Sequence, residues 1–200
     1  MYIILHTDLE VEIKMNRVPL DRRTQVINCL VEGNSIRSTE RITGTHRDTI
    51  MRLLVEVGDG CAALIDSEMH DLSCRRLQVD EIWSFVGKKK AQLTRNDDRS
   101  RLGDMWTFVA LDADTKLVPS YRVGKRTLHE ATAFMTDLSG RLTNRVQLSS
   151  DALKAYVQAT EVAFGADVDY GQLVKIYEAE PIGPGRYSPP HVTNTSGRNY

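Results

Sequence analysis

Between Asp21 and Val57 the apolar residues recur at helical spacing, and from Leu77 onward the spacing changes to that of strands. Val26, Ile27, Leu30 and Val31 form an i, i+1, i+4, i+5 stripe over residues 21–32, opened by Asp21 after Pro19 and stopped by Gly33-Asn34. Ser35 caps a second, shorter helix over 36–42, and Gly44 sits in the turn that follows. Thr45 caps a third helix whose apolar face is Ile50, Leu53, Leu54 and Val57, with Gly58-Asp59-Gly60 as its end. Beyond a connecting stretch, strands are expected at 77–86, 104–111, 117–123, 146–150 and 168–177, with helices at 128–141 and 153–164. Pro119 marks the third strand as an edge strand or a bulge. Residues 1–18 have weak periodicity and read as a poorly ordered lead-in, and 181–200, rich in Pro, Gly, Ser and Asn, as loop or disorder. The pattern predicts an all-α unit at 18–60, a linker at 61–76, an α/β unit with a mixed sheet and flanking helices at 77–180, and a disordered tail.

Helix, short helix, glycine-containing turn and longer helix is the order of a helix-turn-helix, although an ordinary three-helix bundle shares it. Opposite its apolar stripe the third helix carries Thr45, His46, Arg47, Thr49 and Arg52, and the first helix begins with Arg22 and Arg23. Hydrogen-bonding side chains at the start of a recognition helix reach base edges, and arginines reach phosphates. These seven residues are the expected contacts to double-stranded DNA.

Composition narrows the class without announcing a partner. The chain has 200 residues, 41% hydrophobic and 26% charged, with a net charge of −1. No apolar run approaches the ~20 residues that cross a bilayer, so no membrane partner is expected. Met1-Tyr-Ile-Ile-Leu lacks the basic flank of a signal peptide. Three cysteines without a pairing motif fit a reducing cytoplasm, and Cys61, His70 and Cys74 lack the close spacing of a zinc knuckle. Locally the charge is uneven: Lys88, Lys89, Lys90, Arg95, Arg99 and Arg101 cluster after the first strand, either as a solvated loop or as phosphate contacts.

The chemistry rests on two aspartates 71 positions apart. Asp80 lies within the strand Leu77-Gln-Val-Asp-Glu-Ile-Trp-Ser-Phe-Val86, and Asp151 closes the strand Val146-Gln-Leu-Ser-Ser150. A carboxylate in an apolar strand is costly unless compensated, and a divalent cation is the usual compensation. Two such groups on neighbouring strands can hold Mg²⁺ or Mn²⁺ against a phosphodiester. Glu81 should point to the opposite face of its strand. Asp112 and Asp114 fit local turn bonding, Trp83 and Trp106 fit the core, and Lys125 and Arg126 divide between phosphate contact and solvation. Among later acids, Glu161 lies about two and a half turns into its helix, too far from the pair, and Glu178 and Glu180 follow.

Val79-Asp-Glu-Ile-Trp-Ser-Phe-Val86, Asp104-Met-Trp-Thr-Phe-Val-Ala-Leu-Asp112, Gly124-Lys-Arg-Thr127, Ser150-Asp-Ala-Leu-Lys-Ala-Tyr156 and Tyr187-Ser-Pro-Pro190 together resemble transposases of the insertion-sequence-one family. The resemblance spans about residues 20–190. It implies a ribonuclease-H-like fold of the DDE type and an enzyme that binds transposon ends and cuts and joins strands in the nucleoid of a bacterial or archaeal-type cell. A homo-oligomer is compatible with it. Asp80 and Asp151 match the family's first two metal-binding acids, with Mg²⁺ or Mn²⁺ as cofactor. The family's third, a Glu in a Val-Glu-Arg-type motif, has no counterpart after Pro190. Early termination or a frame change is the expected cause, and an incomplete, inactive site the expected consequence. The alternative is a non-catalytic DNA-binding protein or transposition repressor.

Overall fold

The computed structural model describes residues 17–178 and 191–200. The lead-in at 1–16, the leader reading, the whole 181–190 stretch with Tyr187-Ser-Pro-Pro190, and Glu180 lie outside the described residues. The chain divides into two compact units with a boundary between Ala63 and Leu64.

The first unit holds α1 (Leu20–Val31), α2 (Ile36–Thr43) and most of α3 (Arg47–Glu68). Ser35 Oγ accepts the Ser38 N–H at 3.1 Å, the N-cap expected from the sequence. Gly44 takes φ 66 at the end of α2, a left-handed conformation that costs glycine little and lets the chain turn into α3. Glu40 Oε1 accepts the Arg47 N–H at 2.9 Å and so ties α2 to the start of α3. Val26, Ile50 and Leu53 form the small core, with Ile27, Leu30, Ile36 and Val57 against it. Two members of the expected stripes are corrected: Val31 is 74% exposed and Leu54 is 45% exposed. Both stand at the margin of a stripe that a three-helix cluster is too small to cover.

Gly58-Asp59-Gly60 does not end α3, which runs on to Glu68. Two glycines cost about 1 kcal/mol each in a helix interior. Leu53, Leu54 and Glu56 before them and Ala62, Ala63 and Leu64 after them are good helix formers, and no proline intervenes. The expected linker at 61–76 is therefore helix at its start. Further along, Cys74 is 4% exposed in the core of the second unit.

The second unit is a six-stranded sheet: β1 (Arg76–Val86), β2 (Gly103–Asp112), β3 (Ser120–Gly124), β4 (Val146–Ser150), β5 (Val168–Glu178) and β6 (His191–Asn199), in the order β3-β2-β1-β4-β5-β6. β1, β2 and β3 are antiparallel, β4 is parallel to β1 and β5, and β6 returns antiparallel to β5. The first five strands have the order and directions of a ribonuclease-H-like sheet, with α4 (Leu128–Gly140) and α5 (Lys154–Phe164) supplying the crossovers. β3 is an edge strand and begins directly after Pro119.

Alternation explains the layering. Leu77 and Val79 are buried while Gln78 and Asp80 are exposed, so β1 offers one face to the core. Ala131, Phe134, Met135 and Leu138, spaced i, i+3, i+4, i+7 on α4, are all fully buried. Thr127 Oγ1 caps α4 by accepting the Glu130 N–H. Phe108 joins the layers, 5.8 Å from Phe134 and 6.3 Å, edge-on, from Tyr156. Each large side chain buried here contributes roughly 1.5–3 kcal/mol. Trp83 is 43% exposed rather than in the core, because β1 extends past the reach of the helices.

The tail reading is corrected at 191–199. Backbone pairing, Gly171 to Asn199 through Glu178 to His191, makes that segment a strand despite its polar composition. Tyr200 stacks on Tyr170 with ring centroids 5.7 Å apart. No helix among the described residues is long and apolar enough to cross a membrane.

Candidate functional site

The parallel pairing of β1 with β4 runs from Arg76 opposite Gln147 to Val79 opposite Ser150. Asp80 follows Val79 within β1, and Asp151 follows Ser150 just past the end of β4. Two positions 71 apart in sequence are thus brought together where the pairing stops. Asp80, Glu81 and Asp151 each place a carboxylate oxygen within 4.8 Å of the other two, an arrangement able to hold a metal ion. Asp80 Oδ1 accepts the Glu81 N–H at 2.8 Å. Asp151 Oδ1 accepts the Leu153 N–H at 3.0 Å, which fixes it at the entry to α5.

Glu81 corrects the expectation from strand alternation. Neighbouring side chains leave a strand on opposite faces. Here pairing with β4 ends at Val79, so the β4-side edge of β1 is open to both Asp80 and Glu81. The Glu81 side chain is 2% exposed, and its Oε1 has no hydrogen-bond partner. Burial pushes its carboxyl above the usual range, and the Asp151 charge adds to the rise. Arg126 opposes that rise: its Nε lies 3.6 Å from Glu81 Oε1 and its Nη2 3.8 Å from Asp151 Oδ2. Both distances suit an ion pair and exceed a good hydrogen bond. The guanidinium rests over the Trp106 ring, 4.7 Å from its centroid. The Tyr156 hydroxyl is also buried without a hydrogen-bond partner. Burial raises its pKa, and the charges of Glu81, Asp151 and Asp80 raise it further.

A cleft of about 520 Å³ opens beside Trp106, with Lys90, Arg99, Lys125 and Arg126 among its walls. Lys125 is engaged there, donating to the carbonyls of Leu102 at 2.8 Å and Asp104 at 3.2 Å. Lys88 pairs with Asp97 at 2.9 Å, and Lys89 lies over Trp83 and Phe85 at 5.5 and 6.0 Å. Asp112 is 4% exposed and accepts from the Asp114 N–H and the Thr115 hydroxyl, the turn role expected of it. Asp114 pairs with Arg76. Cys61 is exposed on α3, Cys74 is a core residue, and His70 pairs with Asp71, so each of the three has a setting without zinc. Glu161 is exposed on α5 and outside the carboxylate cluster, and the Glu178 side chain lies outside the described residues.

In the helical unit the residues proposed to touch DNA separate into two groups. Arg22 donates to the Thr43 carbonyl, Arg23 pairs with Glu56 at 2.6 Å, and Thr45 is only 9% exposed. These three hold the unit together. His46, Arg47 and Arg52 are exposed at the start of α3, with Thr49 half-buried beside them.

No protein-family model and no curated protein matches the chain. Among the similar solved structures are two transposon complexes. One is described as "Mos1 transposase paired-end complex with left transposon end", at 15% identity and a TM-score of 0.29, covering 80% of this chain and 64% of that one. The other is described as "Crystal structure of the Mos1 Strand Transfer Complex", at 17% identity and a TM-score of 0.30, covering 77% of this chain and 58% of that one. The chain thus spans less than two thirds of the length of either. At these values the likeness carries no functional argument, and the fold assignment stands on the order and directions of the strands.

Proposed function

We propose that this chain is a DNA-processing enzyme of the transposase class, related to the insertion-sequence-one family, that binds transposon ends and cleaves and joins strands with a divalent metal. The observation that carries the reading is the meeting of Asp80 and Asp151 where the parallel pairing of β1 with β4 stops in a ribonuclease-H-like sheet. The inactive site expected from the sequence rested on a missing third acid; a buried, unpartnered carboxylate oxygen beside the pair, Glu81 Oε1, supports a cation there and with it an active site. Hard oxygen donors suit Mg²⁺ or Mn²⁺. When bound, such an ion supplies activation of a water or 3′-hydroxyl and charge stabilisation on the leaving oxygen.

The chain's own residues do the rest. Asp80 and Asp151 are the ligands, each anchored through one oxygen by a backbone N–H. Arg126, braced on Trp106, puts positive charge between the carboxylates and the basic cleft. Lys90 and Arg99 are placed on the cleft wall for a DNA backbone phosphate. Lys125 keeps the start of β2 in position through its two carbonyl contacts. The helix-turn-helix unit supplies duplex binding through the exposed Arg37, Arg41, Arg47 and Arg52 at phosphates, with His46 and Thr49 at base edges.

The test is cleavage of labelled duplexes bearing terminal repeats of the parent element, in Mn²⁺ or Mg²⁺. Metal-dependent nicking at the repeat, lost in Asp151→Asn, is the expected result. Duplex binding without cleavage would favour the repressor reading, and cleavage indifferent to both Asp80→Asn and Asp151→Asn would overturn the assignment.

A further inference from the structure

We propose that Glu81 is the third carboxylate of the cation site, beside Asp80 and Asp151, and that a bound cation displaces the Arg126 guanidinium from these groups. The inference rests on the reading of Asp80 and Asp151 as metal ligands and adds a residue that strand alternation points to the opposite face.

Three observations support it. First, the oxygens are within range. Opposite ligands of a small divalent ion stand about 4.2–4.8 Å apart, twice a metal–oxygen distance of about 2.1–2.4 Å. The three carboxylates already lie within 4.8 Å of one another, so ligation needs little movement. Second, each acid has an oxygen to give. Asp80 and Asp151 each commit one oxygen to a backbone N–H, and Glu81 Oε1 makes no hydrogen bond although its side chain is 2% exposed. A carboxyl buried in this state, next to two others, is relieved either by taking up a proton or by a compensating cation. Third, that compensation is incomplete. Arg126 meets Glu81 at 3.6 Å and Asp151 at 3.8 Å, and brings one positive charge to three acids. Its guanidinium also has a platform in Trp106, 4.7 Å away, against which it can remain when it leaves the carboxylates. A divalent ion brings twice the charge at about half the distance.

The experiment is calorimetric titration of Mn²⁺ alone into the whole chain and its Glu81→Gln, Asp151→Asn, Arg126→Gln and Asp114→Asn variants, with thermal melts of each metal-free protein. Removing one carboxylate ligand is expected to weaken Mn²⁺ by about tenfold or more. Glu81→Gln and Asp151→Asn should both show that loss. Asp114→Asn, remote and paired with Arg76, should bind as the parent does. Arg126→Gln should bind several-fold more tightly, since a competing positive charge is gone. Metal-free Glu81→Gln should melt no lower than the parent, which separates lost ligation from lost folding. If it does melt lower, Glu81→Asp keeps the charge and should restore most of the affinity; failure to do so overturns the ligand role. Glu81→Gln binding within twofold of the parent, with Asp151→Asn weakened, overturns the role of Glu81 and leaves the proposed function standing. Unchanged affinity in Arg126→Gln overturns the displacement. Absence of saturable Mn²⁺ binding in the parent overturns this inference together with the metal-dependent part of the proposed function.

Discussion

Arg52→Gln should weaken duplex binding and, more tellingly, flatten its salt dependence. The exposed arginines of α2 and α3 are Arg37, Arg41, Arg47 and Arg52. Arg47 has an acidic neighbour at 3.9 Å, in Asp48, an exposed pair worth little. Four phosphate contacts give a slope of log affinity on log salt of about −3.6, at about −0.9 per contact. Between 50 and 200 mM salt that is a loss of about 150-fold. With Arg52 removed the slope falls to about −2.7 and the loss to about 40-fold. Arg22→Gln should behave differently. Its guanidinium donates to the Thr43 carbonyl at the end of α2, so its removal should lower the melting temperature and leave the slope alone. Fluorescence anisotropy of a labelled duplex with the whole chain, at four or five salt concentrations, measures both slopes. An Arg52→Gln slope equal to the parent's, or an Arg22→Gln slope reduced by a full contact at unchanged stability, would refute the division of these arginines into binding and structural groups.

Two further expectations concern the sheet unit. Arg141→Met should destabilise it by about 2–3 kcal/mol. The side chain is 13% exposed, meets both Asp137 oxygens at 2.8 and 2.9 Å, and caps the carbonyls of Ile65 and Met69 at 3.1 and 3.2 Å. The figure is discounted because the third acid, Asp66, is 73% exposed. Urea unfolding followed by the fluorescence of Trp83 and Trp106 reads this unit, and a loss below about 0.5 kcal/mol would show that water replaces these bonds freely. Asp97 should titrate at about 2 rather than its ordinary 3.8, because the Lys88 ammonium and then the Thr94 N–H and hydroxyl bind its charged form. A pKa lowered by folding contributes stability that is present above the unfolded value and lost as pH falls through about 2. A carboxyl carbon titration by NMR with a midpoint near 3.8 would break that account.

Local rules located most elements of this chain. Periodicity placed β4 at its observed bounds and α4 and α5 within a residue of theirs, since their apolar spacing and caps, such as Thr127, are contained in a few neighbouring residues. It failed where a neighbour supplied the missing term. β6 has no apolar alternation to read, and backbone hydrogen bonds with β5 make it a strand. The glycines at 58 and 60 look like a stop, yet good helix formers on both sides carry α3 through them. Trp83 looks like core by type, but the length of β1 beyond the helices leaves it exposed.

At the carboxylate site the same division holds. The chain alone placed Asp80 in a strand and Asp151 at the end of one, because the residues around each alternate or run apolar; in the fold Asp80 is exposed, and the buried charge that asks for compensation is Glu81. Whether two strands 71 residues apart lie side by side is a property of sheet order, which no local window contains. Alternation directed Glu81 away from the pair, and left it a secondary candidate, on a rule that holds for a strand paired on both sides. The tertiary structure ends the β1–β4 pairing at Val79 and Ser150, opening the edge round which Glu81 reaches the two aspartates. It also decided which cations are available: Lys88, Arg22 and Arg23 are drawn into partners within their own units, while Arg126, divided by sequence between phosphate contact and solvation, stands over Trp106 beside the acids. Charge is written in the sequence, but its partners are set by distance, and distance is set only when the chain has folded.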